Sequence, residues 1–381
     1  MKLLPALVLG SLVIGCATVE PIPNKRPLTT ESIQSIGKVK VAASENNRGV
    51  EKSWFMTDSS AAGAQYGLLG ALVTGVMDAI MNAGPSKRAQ QAANEIAELV
   101  PADALNVSLI TALQGQVPAA DAVTTGISIN EVGMSQKMLA PKPVNDVVEV
   151  STSYTLSEDA SAFRMIANVS YQSSKLTYAT PYKFKGSVPK GQLTGPLYTN
   201  TFTYQSAQLP IPTLTADLKT RLAASIQDSY KTETGAPPAP DSQDGKALAK
   251  ELEAARDEKL TKDEIAIFLT RNWLNDGGAL LKREIENAHS FVAKFLVQDL
   301  NSSAVPSVTG KDELLETASN GRTVRRVGAG PEAGSYASAP GNLTSFTTYG
   351  NASAISKVSA EKIQKLSASR TKSTSSKKKK T

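Results

Sequence analysis

The chain carries one cysteine, Cys16, and one histidine, His289. Those two counts bound its chemistry before any fold is considered. A single thiol forms no disulfide within the chain, and the pair is too small a ligand set for a structural zinc site, so neither metal nor cofactor is expected. Histidine-dependent acyl transfer would have to run through His289. That residue sits between Ile285 and Val292, one step beside an apolar stripe at helical spacing, where a partly buried, hydrogen-bonded ring is the ordinary arrangement. No Gly-x-Ser-x-Gly elbow accompanies it. Ser35 and Lys38 match a Ser-x-x-Lys spacing, but the companion Ser-Asp-Asn and Lys-Thr-Gly motifs are missing. Gly328 to Gly334 imitates a phosphate loop, yet Pro331 and Glu332 suit an anion poorly and no helix follows, which predicts a turn. Glu251 and Glu253 read as the solvated face of a charged helix rather than an acid–base pair. No catalytic set emerges, and the chain is not expected to be an enzyme.

Cys16 has a more specific setting. Met1-Lys2 is a short charged start, and Leu3 to Gly15 is almost wholly apolar but too short to span a bilayer. Leu12-Val13-Ile14-Gly15-Cys16 resembles the lipobox of bacterial lipoprotein precursors. The resemblance implies cleavage by signal peptidase II between Gly15 and Cys16, a diacylglyceryl group on the thiol and a further acyl chain, such as palmitate, on the freed amine. A thiolate is the best side-chain nucleophile for that transfer. Ala17 in place of Asp implies, by the same resemblance, outer-membrane rather than inner-membrane sorting, with the body facing the periplasm. Pro21, Pro23 and Pro27 make residues 16–30 read as an extended tether.

Two further elements suggest contacts. Gly63, Gly67, Ala71, Gly75, Ala79 and Ala83 recur every fourth residue, which on a helix stacks them into one ridge. The pattern resembles a glycine zipper, and glycine-rich apolar helices of this kind also occur in uncharacterised proteobacterial envelope lipoproteins. Three helical glycines cost about 1 kcal/mol each. Close packing against the same chain, a second copy, another envelope protein or the membrane would offset that. At the other end, Lys377, Lys378, Lys379 and Lys380 close a tail that holds all six units of the formal charge of +6. The tail suits anionic lipid or lipopolysaccharide phosphates. With nothing net before it, the body lacks the basic surface of a nucleic-acid-binding domain.

The elements that must carry these features form an α+β, or α/β, fold over residues 31–343. A strand is predicted at Gly37–Ala43, the ridge helix next, then helices at Ser86–Leu99, capped by Ser86, and Ala102–Leu113. The centre, 146–206, is β-rich and antiparallel: Val148–Leu156 and Phe163–Tyr171 alternate as a hairpin, with further strands near Leu176–Tyr178, Tyr182–Phe184 and Tyr198–Tyr204. A helical section, 214–300, follows. It comprises Leu214–Tyr230, Gly245–Leu260, a helix from a Thr261/Glu264 capping box to Leu274, a break at Asp276-Gly277-Gly278, and a helix to Leu300. The buried stripe of that last helix is Leu281, Ile285, Ala288, Val292, Phe295 and Leu296. After Gly310 come a short helix, a strand at Arg322–Val327, and turns to Leu343. Residues 344–381 are expected to be mostly disordered, with a weak helix at Ser356–Leu366. The function this implies is a lipid-anchored envelope protein that binds or scaffolds other components. A pore or secretion accessory built on the ridge, and a cell-wall or lipid hydrolase, are the alternatives.

Overall fold

The computed structural model describes residues 25–52, 54–56, 83–116, 126–134, 145–157, 159–178, 195–210, 213–232, 234–256, 260, 262–305, 310–341 and 356–358. Gly15, Cys16, the ridge residues Gly63 to Ala79 and Lys377 to Lys380 lie outside them. The strands are β1 (Lys38–Lys52), β2 (Trp54–Met56), β3 (Ser128–Met134), β4 (Val147–Leu156), β5 (Phe163–Gln172), β6 (Tyr198–Gln205), β7 (Glu313–Thr317), β8 (Arg322–Arg326), β9 (Tyr336–Pro340) and β10 (Ser356–Val358). The helices are α1 (Thr30–Ile36), α2 (Ala83–Leu99), α3 (Ala102–Gly115), α4 (Ala216–Ser229), α5 (Gln243–Ala254) and α6 (Lys262–Leu300).

The fold is α+β. Eight strands form one mixed sheet in the order β3-β1-β4-β5-β6-β9-β8-β7. The central three pair antiparallel as predicted, while β1 runs parallel to both β3 and β4. Alternation makes the sheet two-faced. One face of β4 buries Val148, Val150, Thr152, Tyr154 and Leu156, with Glu149 buried on the other, and β5 buries Phe163, Met165, Ala167, Val169 and Tyr171. That face is covered by α3 and α6, with α2 packed on α6. The stripe Leu281, Ile285, Ala288, Val292, Phe295 and Leu296 is buried throughout. Each of its large side chains contributes about 1.5–3 kcal/mol of transfer free energy. The break within α6 falls where the sequence puts it: Asp276, Gly277 and Gly278 all have positive φ, of 53°, 64° and 74°. Glycine makes such a run tolerable.

Several boundaries differ. The extended tether ends before Lys25, because Lys25 and Leu28 are buried and Thr29 caps α1 through a bond from the Ser32 N–H. Residues 83–85 are already helical in α2, so Ser86 is not its cap. The segment 176–178 is not a strand. The charged helix stops at Ala254. The short helix expected after Gly310 is strand β7, and the expected turns before Leu343 include β9, buried between β6 and β8. Ser356–Val358 pairs with Trp54–Met56 as a strand rather than starting a helix. Among the described residues no single helix is long and apolar enough to cross a membrane.

Candidate functional site

His289 is fully buried on α6 and joins two elements. Its Nε2 lies 2.8 Å from the Tyr154 hydroxyl of β4, and its Nδ1 lies 2.9 Å from Ser108 Oγ of α3. Burial pushes the Tyr154 phenol well above its ordinary value, so it keeps its proton. We assign that proton to the bond with Nε2, which places the ring hydrogen on Nδ1, donating to Ser108. Activation of a serine by histidine needs the opposite polarity, with the hydroxyl donating to the ring. Ser108 also sits mid-helix, where its own amide is engaged in α3 and is not available to hold an oxyanion. The arrangement is a three-element tie, with His289 fully buried where the sequence suggests partial burial.

Beside this tie lies a carboxyl group that the sequence reading missed. Glu45, the register partner of Thr152, is buried on β1. Its Oε1 accepts the Gly49 N–H at 2.6 Å across a bulge in β1. Its Oε2 has no hydrogen-bond partner among the described residues. Burial raises its pKa to about 7, and burial lowers that of His289 to about 4. The two act oppositely on stability. Glu45 contributes fully below its ordinary 4.5, and its contribution is lost as pH rises towards 7. His289 contributes fully above 6.5, and its contribution, about 3 kcal/mol, is lost as pH falls towards 4. Glu45→Gln is therefore expected to stabilise the protein above pH 7, to match wild type below pH 4.5, and to steepen acid unfolding between. Urea midpoints measured across pH check this; a wild-type-like profile would refute it.

The remaining candidates separate cleanly. Ser35 Oγ donates to the Glu31 carbonyl at 2.6 Å on an exposed helical turn. Gly328 to Gly334 is the turn joining β8 to β9, with the Gly328 N–H bonded to Asp312. Glu251 is not solvated: it pairs with the buried Arg88 of α2 at 2.8 Å and accepts from the Tyr230 hydroxyl at 2.6 Å. A charge spacing on one helix gives no sign of a partner more than 160 residues away. Among the described residues no group of three or more His, Cys, Asp or Glu side chains could hold a metal ion.

The described residues also form a concavity. Between α4 and residues 262–275, a cavity of about 310 Å³ has Leu218, Leu222, Ile267 and Phe268 as its floor and Arg221 and Arg271 among its polar lining. The size is at the lower end for small-molecule pockets. Arg221 is paired with Asp217 at 3.0 Å, and Glu264 is buried in the wall. The chain matches no protein-family model, no curated protein and no solved structure.

Proposed function

We propose that this chain is a bacterial envelope lipoprotein, acylated on Cys16, whose body is a non-enzymatic binding or scaffolding unit held at the periplasmic face of the outer membrane. The observation that carries the reading is Leu12-Val13-Ile14-Gly15-Cys16 closing a short charged-then-apolar leader, followed by Ala17. Acyl chains contribute about 0.8 kcal/mol per buried methylene, so two or three of them hold a protein durably. The complete burial of His289 between Tyr154 and Ser108 supports the non-enzymatic half of the reading. Lys377 to Lys380 would add attraction to anionic lipid or lipopolysaccharide phosphates.

Metabolic labelling with a clickable palmitate analogue tests the anchor. Wild type is expected to carry label and to fractionate with membranes. Cys16→Ser is expected to carry none and to accumulate as unprocessed precursor. A Cys16→Ser chain that is processed and fractionates like wild type would overturn the reading.

A further inference from the structure

The chain's entry into the fold fixes where the anchor is rooted. Arg26 forms an isolated antiparallel bridge with Thr199, exchanging backbone bonds of 2.9 and 3.2 Å. The Lys25 ammonium is buried, donating to Thr201 Oγ1 at 2.6 Å and pairing with Glu332 at 2.9 Å. The Arg26 guanidinium donates to the Pro196 carbonyl at 3.0 Å and lies 4.7 Å from the centre of the Tyr178 ring. Leu28 is in the core. Register places this root at one end of the sheet, where β4 and β6 begin and β5 ends: Val147 faces Gln172, and Tyr171 faces Tyr198. The opposite end holds the turn after Leu156, the exposed Gln208, and Trp273, whose Nε1 reaches the Ala160 carbonyl.

We propose that the root end is the surface the body lays against the bilayer, its partner being the phospholipid headgroup layer that holds the anchor. The proposal rests on Cys16 being acylated as proposed above. Nine residue steps lead from Cys16 to Lys25, and fully extended they reach about 30 Å. The nine steps from Phe163 to Gln172 along β5 span about 30 Å. Turning the far end to the membrane would need the whole tether stretched along the body with nothing to spare. The root-end orientation leaves it slack.

Charge agrees with length. Among the described acids at this end, Glu332 pairs with Lys25, Glu131 pairs with Lys40, and Asp146 accepts from the Ser174 N–H and hydroxyl. Lys38 and Lys175 are exposed there.

The test uses the full acylated chain on vesicles of phosphatidylethanolamine and phosphatidylglycerol doped with a nitroxide-headgroup lipid. A fluorophore is attached in turn to Lys175→Cys, Lys38→Cys and Gln208→Cys, the thiol of Cys16 being blocked by its acyl group. Severalfold stronger quenching at positions 38 and 175 than at 208 is the expected result. Equal quenching at all three, or stronger quenching at 208, in protein that floats with the vesicles would overturn the orientation while leaving the anchor intact. Protein that fails to float and carries no acyl mass would overturn the anchor, and the orientation with it.

Discussion

Replacing Asp299 with alanine is expected to destabilise the body by about 3–5 kcal/mol, a large share of the roughly 5–15 kcal/mol that holds a typical domain folded. Asp299 is buried near the carboxyl end of α6. It accepts from the Tyr198 hydroxyl at 2.6 Å, from Asn200 Nδ2 at 2.6 Å, and from the Tyr336 hydroxyl at 2.8 Å. Arg326 donates to that same Tyr336 oxygen at 2.7 Å, which adds positive charge at one remove. One carboxyl thus joins α6 to β6 and β9. Burial raises its pKa, and the three donors offset part of that rise without cancelling it.

The cost of the substitution lies less in the bonds lost than in the donors left dry. Tyr198 is completely buried, so its hydroxyl would find no water. Each orphaned buried donor costs about 1–3 kcal/mol. The coupling is testable. Tyr198→Phe alone should cost about 1 kcal/mol, and adding it to Asp299→Ala should cost almost nothing more, because the orphan has been removed. Urea unfolding of the two single variants and the double variant would decide. Strict additivity, or a loss under 1 kcal/mol for Asp299→Ala, would show that the network does not hold the sheet to α6.

What the sequence reveals follows from the range of each interaction. The β4–β5 hairpin and the α6 stripe were legible because period 2 and period 3.6 are local properties, visible within ten residues. The break at Asp276-Gly277-Gly278 was legible because left-handed backbone selects glycine. By contrast, β9 (Tyr-Ala-Ser-Ala-Pro) has small residues and a proline. It becomes a strand because β6 and β8 supply its hydrogen bonds and leave room only for Ala337 and Ala339. Lys25 and Arg26 look like tether residues, and their seating depends on Thr199, Thr201 and Glu332, more than 170 positions away. Glu45 was invisible for the same reason: its burial comes from the packing of α3 onto β1, not from its neighbours in sequence.

The anchor and the candidate contacts divide along the same line. The proposed acylation motif at Cys16 would be read by an enzyme acting on an extended chain, so its signal would be written locally. A binding surface is assembled by folding, and the one proposed above rests on residues such as Lys38 and Lys175, whose types alone signal nothing.

Trp273→Ala is expected to be comparably severe, and its effect should be unevenly distributed along α6. Among the described residues Trp273 is the largest fully buried side chain, and its Nε1 donates to the Ala160 carbonyl at 2.7 Å. That carbonyl belongs to a turn with little slack: Ala160 has a φ of 56°, and Asp159 Oδ1 accepts from the Ser157 and Ser161 hydroxyls and from the Ser161 N–H. Removing the indole leaves a cavity costing about 3–5 kcal/mol and a buried carbonyl costing about 1 kcal/mol or more. Trp273→Phe keeps much of the volume and loses only the donor, so about 1–2 kcal/mol is expected from it. Because Asn275 to Gly278 interrupt the helix, residues 262–274 cannot rely on helical continuity with the stripe that begins at Leu281. Trp273 is their bolt to the hairpin. Hydrogen exchange should therefore show protection collapsing over 262–274 in Trp273→Ala while 279–300 stays near the wild-type rate. The cavity floor formed by Ile267 and Phe268 would loosen with it. Uniform loss of protection along both parts of α6 would mean that the break transmits helix stability, and that the first part is not a separately held wall.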